Sequence, residues 1–420
     1  MKNKLILPFV SFTMVLISLV GCQKSIKVCD IQGEVFDSTC TSVVLFTLDQ
    51  DYRFQGLEIP LVDGKFTHQV TYEQPEVYSI LTKTGKKRNR DYFKFILEDK
   101  ELPIQLYTGS DFNKSFADGG RINKEFKLYN DSVFGKYKQS LRPFGARIRE
   151  LHRSKDYYTD TMNIIDQAMR SGPSKEERKR LIAAFEELKK TNAHLGPEAL
   201  EIQEKQHALI KEQIRKQYEY ISDNPTVISY YLLYMDVLHR QKYVDMDLVK
   251  EHYRKLVDEF PNHPYNEQLA NIFGSEETVK VGAKFIDFTL PDMDGNEHKI
   301  SDLVAGKIAV IDLWATWCGP CIAKSRALVP VYDEFKDSGF TIVGVAGEYK
   351  NTDGLAYMID KHNFSWSHLV ELDKKHRVWE KYGIPNVGGR KFLVDEKGII
   401  LAIDPSADDV RKVLKKKMKG

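Results

Sequence analysis

The chain has 420 residues, room for two or three domains, and carries 62 Lys and Arg against 60 Asp and Glu for a formal charge of +2. That balance argues against a general polyanion-binding role, so nucleic acid is not an expected partner. Hydrophobic content of 42% is that of folded protein, and five cysteines (Cys22, Cys29, Cys40, Cys318, Cys321) are too few for a disulfide-built scaffold, so the core must come from apolar burial.

The N-terminus reads as a targeting segment. Lys2 and Lys4 supply positive charge, and Leu5 to Val20 is an apolar stretch broken by Pro8. Leu19-Val20-Gly21-Cys22 then resembles a bacterial lipobox. Residues 1–22 are therefore expected to be a lipoprotein signal peptide, with Cys22 the acylated first residue of the mature chain. An ordinary signal peptide or an uncleaved anchor with a chance cysteine is the plainer alternative. Gln23-Lys24-Ser25 is not acidic, which by analogy with known sorting signals points to the envelope interior rather than the cell surface. No other apolar run is long enough to span a membrane.

Residues 27–118 read as a β-rich domain. Ile31–Phe36, Val43–Phe46, Phe66–Tyr72, Val77–Leu81, Tyr92–Leu97 and Leu102–Leu106 are strand-like, separated by Gly, Pro and charged clusters. Gly33 and Val62-Asp63-Gly64-Lys65-Phe66 give a loose resemblance to the small β domain of unknown function found before thioredoxin modules in envelope lipoproteins, which implies a sandwich and no chemistry. Cys29 and Cys40 fall here. A hairpin of residues 28–36 on 42–49 around Thr39 would hold their Cα atoms beyond the roughly 7 Å limit for a bridge. Buried or free thiols are therefore expected ahead of a disulfide.

Residues 121–274 read as helical. Arg178–Lys190 and Glu198–Ile221 carry apolar residues at three–four spacing, Asp223-Asn224-Pro225 breaks the chain, and Val227–Leu238 and Leu248–Phe260 are further helices. Tyr230, Tyr231 and Tyr234 fit core packing better than a ligand groove. The basic residues between Lys136 and Lys155 fit a solvated face better than a patch for acidic lipid or partner. Gly274-Ser275-Glu276-Glu277 reads as a linker.

Residues 277–420 carry the chemistry. Ile308-Ala309-Val310-Ile311-Asp312-Leu313 is apolar and β-branched, like a buried parallel strand. Trp314-Ala315-Thr316-Trp317-Cys318-Gly319-Pro320-Cys321 follows, and from Ile322 to about Lys336 the spacing of Leu328, Val331, Tyr332 and Phe335 is helical. Two cysteines one helical turn apart can close a disulfide reversibly, and the helix N-terminus favours a thiolate. No second Cys-x-x-Cys or His pair exists to complete a metal site, so no metal is expected. Asp292-Met293-Asp294-Gly295 looks briefly like a calcium loop, but the glycine comes two positions early, and a hairpin turn is the better reading. Lys415-Lys416-Lys417 reads as the exposed end of the last helix.

With Val281–Leu290, Asp294-Gly295, Leu303, Gly306-Lys307, the Trp314–Cys321 motif, Phe392–Asp395 and Gly398, this third of the chain resembles a thioredoxin-fold module of the TlpA/ResA type. The resemblance implies a membrane-tethered thiol–disulfide oxidoreductase. It implies no dissociable cofactor, the redox group being the Cys318–Cys321 disulfide. It casts Cys318 as the more exposed attacking nucleophile and Cys321 as the resolving thiol. Asp312, costly to bury on an apolar strand, matches an aspartate that helps deprotonate the second cysteine; a structural Asp with a backbone partner is the alternative. Trp317, Gly319 and Pro320 are expected to meet substrate. Lys324 and Arg326 stand where relatives carry Glu and Pro. Ala315 stands where a peroxidase of the peroxiredoxin type needs Thr. Gly389, three residues before Phe392, occupies the place of the substrate-clamping cis-proline. Either Pro385 serves after an insertion or Gly388-Gly389 replaces it with a trans turn, which is preferred; a proline at 389 would then restore the clamp.

The fold class expected is thus multidomain: a β-sandwich-like domain, an α-helical region and a C-terminal α/β thioredoxin fold. The expected function is reduction or isomerisation of envelope protein disulfides, periplasm-facing, with a membrane thiol reductase as electron donor and cytochrome c maturation as a candidate process. The rival is a non-enzymatic envelope binding protein that uses the thioredoxin fold as a scaffold.

Overall fold

The computed structural model describes residues 26–384 and 388–417. The lipidation site Cys22, its signal peptide and the Pro385 alternative lie outside the described residues.

Eight strands build the N-terminal domain: β1 (Lys27–Val35), β2 (Ser42–Thr47), β3 (Leu57–Pro60), β4 (Lys65–Tyr72), β5 (Val77–Thr84), β6 (Lys87–Ile96), β7 (Glu101–Leu106) and β8 (Phe116–Ala117). They form two four-stranded sheets, ordered β4-β1-β7-β8 and β3-β2-β5-β6. Ile31, Leu102 and Ile104 from one sheet and Val43, Leu45, Ile80 and Phe95 from the other share one core. This is a sandwich. The hairpin of β1 on β2 does not form: β1 pairs with β4 and β7, and β2 with β3 and β5. Each strand has an inward apolar row that needs a facing sheet, so the chain crosses between sheets through the Asp37–Cys40 turn, held by the Asp37 carboxylate accepting from Thr39 N–H at 3.0 Å. Cys29 and Cys40 are buried, unbridged thiols in the shared core. Burial pushes the Cys29 thiol up to about 11 and raises that of Cys40, which makes both poor nucleophiles.

Eight helices follow: α1 (Arg121–Tyr129), α2 (Gly135–Ser154), α3 (Asp160–Arg170), α4 (Lys175–Lys190), α5 (Pro197–Asp223), α6 (Val227–His239), α7 (Met246–Glu259) and α8 (Tyr265–Thr278). Apolar on almost every side, α6 is the buried centre, and Tyr230, Tyr231 and Tyr234 are core residues, with the Tyr230 and Tyr234 hydroxyls donating to Asn266 and Gln268. On α2, Arg147 pairs with Glu150 and Glu198 at the surface. The linker expected at 274–277 is instead the last turn of α8. Ser275 is buried, its hydroxyl donating to Ile272 O at 2.6 Å, and α8 lies against the redox module, which keeps the turn helical despite Gly274. No helix among the described residues is long and apolar enough to cross a membrane.

The C-terminal module runs β9 (Thr289–Pro291), β10 (Glu297–Lys299), α9 (Ile300–Val304), β11 (Ile308–Trp314), α10 (Gly319–Arg326), α11 (Val329–Phe335), β12 (Phe340–Glu348), α12 (Asp353–His362), β13 (Ser367–Leu372), α13 (Val378–Lys381), β14 (Lys391–Val394), β15 (Ile400–Ile403) and α14 (Ala407–Lys417). Its sheet is ordered β13-β12-β11-β14-β15, with β11 to β13 parallel and β14 and β15 antiparallel. Every residue of β11 is buried. The single helix expected over 322–336 is two, because Pro330 near the start of α11 cannot donate to the preceding turn. Asp292 accepts from the N–H groups of Asp294 and Asn296, both at 2.9 Å, and Gly295 sits at φ +87°, so the calcium-like stretch is a hairpin turn between β9 and β10.

Candidate redox site

β11 is the central strand, and it delivers the chain at its C-terminal end to the Ala315–Cys318 turn. Cys318 caps α10, its sulfur accepting from Cys321 N–H at 3.3 Å. The two cysteines form a disulfide with Cα atoms 5.3 Å apart. Gly319 and Pro320 are exposed beside it. The expected contrast in exposure is small, 6% for Cys318 and 4% for Cys321. What separates the two sulfurs is their partners.

Gly389 N–H donates to Cys321 Sγ at 3.0 Å. Gly389 therefore does abut the cysteine pair, as its spacing from Phe392 implied, and all peptide bonds among the described residues are trans. A Cβ at Gly389 would lie 1.7 Å from Leu313 O. This overturns the expectation that a proline at 389 restores a clamp: proline would both collide with β11 and remove the N–H that holds Cys321. Gly388 has φ +82°, a conformation that glycine adopts freely. The two glycines, Pro320, Cys321, Lys324 and Arg390 line an open cleft of about 330 Å³.

Asp312 is fully buried on β11, under α10. Its carboxylate accepts from Ser325 Oγ at 2.6 Å and from Lys391 Nζ. Ser325 Oγ is also 3.0 Å from the backbone carbonyl oxygen of Cys321, which ties Asp312 to the turn of α10 that holds the second cysteine but not to its sulfur. A lone buried carboxylate would be very costly, and Lys391, 3% exposed, supplies the compensating charge. Neither Lys391 nor Ser325 was singled out by sequence reasoning. The signal available was a lysine inside the apolar run 391–394.

Glu348, at the end of β12, was also missed. It is 7% exposed, and its two oxygens accept from Thr316 N–H and Thr316 Oγ1, both at 2.7 Å. Burial holds its carboxyl above the ordinary range. The pair fixes the turn that carries Trp317 and Cys318.

Trp317 does not present a free face. Its Nε1 donates to Gly347 O at 3.0 Å, and its ring lies near Tyr349 and Trp379, with centroids 5.9 and 6.1 Å away. From the N-terminal domain, Phe54 comes to 6.2 Å and the Arg53 guanidinium to 5.0 Å. Of the two departures in the last turn of α10, Lys324 pairs with Asp404 at 3.5 Å, a link worth ~0–1 kcal/mol at the surface.

A dithiol pair closing a disulfide at a helix start, above a buried Asp that lies on the central strand of a five-stranded mixed sheet, defines a thioredoxin-fold redox protein. The chain matches the AhpC/TSA family over residues 281–403. The thiol–disulfide oxidoreductase ResA of Geobacillus thermodenitrificans is 30% identical over 136 residues, 32% of this chain and 74% of that protein. ResA of Bacillus subtilis is 30% identical over 137 residues, 31% of this chain and 71% of that protein. Among solved structures, the thioredoxin domain of a thiol–disulfide oxidoreductase from Bacteroides vulgatus is 28% identical, covering 34% of this chain and 99% of that one at a TM-score of 0.30. The chain belongs to the ResA-like thiol–disulfide oxidoreductases, enzymes whose redox group is a disulfide of the polypeptide itself.

Proposed function

We propose that the protein reduces or isomerises disulfides of envelope proteins through Cys318 and Cys321. The observation that carries this reading is the Cys318–Cys321 disulfide at the start of α10. In the reductive direction the Cys318 thiolate attacks one sulfur of a substrate disulfide, and the other sulfur leaves as a thiolate that takes a proton. The Cys321 thiolate then attacks Cys318 Sγ, releasing the second substrate thiol and leaving the protein oxidised. Asp312, buried beneath α10, assists deprotonation of Cys321, and Gly389 N–H steadies its sulfur. Pro320 and Gly388-Gly389 border the side from which substrate arrives. A membrane thiol reductase returns two electrons, and apocytochrome c is a candidate substrate. Lipid on Cys22 tethers the enzyme to the membrane, facing the periplasm; the motif Leu19-Val20-Gly21-Cys22 supports this.

The test is partner trapping in cells with Cys321→Ser, which leaves mixed disulfides on Cys318. Covalent complexes with envelope proteins that dissolve on reduction are expected. Their absence, together with no disulfide reduction by the purified chain, defeats the reading. Mass spectrometry of membrane-extracted protein checks the anchor, since an intact Met1 or a cut elsewhere than before Cys22 excludes it.

A further inference from the structure

The redox module does not build its site alone. The β2–β3 loop of the N-terminal domain reaches across to Trp317, the residue that leads into Cys318. Phe54 stacks on Tyr349 with centroids 5.2 Å apart and planes 10° from parallel, and Arg53 lies over the Trp317 indole. We propose that Arg53 and Phe54 are specificity-determining residues of the redox site. They occupy the face of Trp317 on which an incoming polypeptide would pack, and they confine approach to the side of Pro320 and Gly388-Gly389. The inference rests on thiol–disulfide exchange at Cys318 and adds the part of the chain that selects the partner.

The loop is a fixed wall. Asp51 accepts from Arg53 Nε at 3.0 Å and Nη2 at 2.6 Å, and its carbonyl accepts from the N–H groups of Phe54 and Gln55 at 2.9 and 2.8 Å. Both ends of the loop are clamped to the turn after β13. The Asp49 carboxylate pairs with Lys374 at 3.4 Å and Arg377 at 3.3 Å, and its carbonyl accepts from Lys374 Nζ at 2.8 Å. Gln55 donates to Asp373 at 3.3 Å, and the same Asp373 oxygen accepts from Lys350 N–H, beside Tyr349. Ion pairs, hydrogen bonds and ring stacking in one short segment leave it little freedom to swing aside.

A wall on one side of an attacking sulfur discriminates by shape. A disulfide on a broad, folded surface meets the wall before its sulfur reaches Cys318. An extended or locally unfolded segment passes along the open side. The substrate class this geometry selects is therefore disulfides in extended segments rather than in folded domains.

The full chain tests this directly, with insulin as a folded disulfide substrate and an unstructured peptide bearing one disulfide as the other. Arg53→Ala/Phe54→Ala is expected to raise the ratio of kcat/KM for insulin over that for the peptide about tenfold, ~1.4 kcal/mol of discrimination, through KM rather than kcat. Tryptophan emission should shift to the red as Trp317 is uncovered. Phe54→Tyr should keep the wild-type ratio. If circular dichroism shows the double variant unfolded, Asp49→Asn weakens the clamp by removing its ion pairs with both side chains retained, and should move the ratio the same way by a smaller factor. An unchanged ratio with shifted emission overturns the proposal, as does a parallel fall in kcat for both substrates. A wild-type chain that reduces neither substrate defeats exchange itself, a result distinct from an unchanged ratio.

Discussion

Lys391 and Asp312 stand directly opposite each other on the antiparallel strands β14 and β11, both buried, with the Lys391 ammonium donating to the Asp312 carboxylate. The same level of the sheet continues through Gly344 on β12 to His368 on β13. A Cβ at Gly344 would lie 2.4 Å from His368 Nδ1, so the glycine makes room for the imidazole. A row of ionisable groups thus crosses the sheet beneath α10.

Breaking that row from one end should be costly. Lys391→Met leaves the Asp312 charge buried without its partner, and a loss of about 3–5 kcal/mol in urea unfolding is expected. Adding Asp312→Asn should recover part of it. Additive losses in the double-mutant cycle would mean that the two groups do not interact.

Asp312→Asn alone should slow resolution of the mixed disulfide far more than its formation, since Asp312 lies under the turn of α10 that holds Cys321, joined through Ser325 to that residue's backbone and not to Cys318. Stopped-flow measurement of the two steps separates them; equal slowing of both contradicts the assignment.

Gly389→Ala should damage the site more than an ordinary loop substitution. The new Cβ would meet Leu313 O, and the backbone shift that relieves it pulls the Gly389 N–H off Cys321 Sγ. A stability loss of about 1–3 kcal/mol and a fall of roughly tenfold in disulfide reduction are expected. Gly389→Pro should be worse, and an active proline variant would show that this close packing on β11 is not needed.

Glu348→Ala removes the acceptor of both Thr316 donors. It should cost about 1–3 kcal/mol and slow iodoacetamide modification of the reduced Cys318 by loosening the turn that aims it. In the wild type Cys318 is expected to be modified before Cys321 at neutral pH.

His368 gives a pH signature. Burial lowers its ring from 6.5 to about 4, with Nδ1 unpartnered and Nε2 at 3.1 Å from Phe364 O. A folded-state value below the unfolded one means stability that is complete above about pH 6.5 and lost as pH falls towards 4. His368→Gln should therefore flatten thermal stability between pH 6.5 and 4 relative to wild type, by on the order of 3 kcal/mol across the window. Parallel pH curves for the two proteins would contradict the buried neutral ring.

The spacing of the two cysteines, with the flanking Trp317, the Gly319-Pro320 between them and the strand–helix context, marked the redox site, and the family resemblance added the role of Asp312. Cys318, Cys321 and Asp312 are close in sequence to one strand–turn–helix, and local periodicity and the cost of burying a carboxylate make such a unit legible. Six of the eight strands of the first domain and the helices α4 to α7 were legible for the same reason, each carrying its own apolar period; the short strands β3 and β8 carry too few residues to show one. What the sequence left open was pairing across distance. Whether β1 folds on β2 or faces it in another sheet depends on which strands supply facing apolar rows, and local pattern does not encode that. Gly274-Ser275 reads as a linker, because tertiary contact and not propensity keeps α8 helical there. Lys391, Ser325 and Glu348 joined the site only once the sheet set them beside β11. Arg53 and Phe54, more than 260 residues from Trp317 in sequence, came to it only through the docking of two domains. The sequence by itself determined the chemistry, a thiol pair at a helix start, because that rests on residues a few positions apart. The tertiary structure decided what surrounds the thiols, because burial and charge pairing are fixed by long-range contacts.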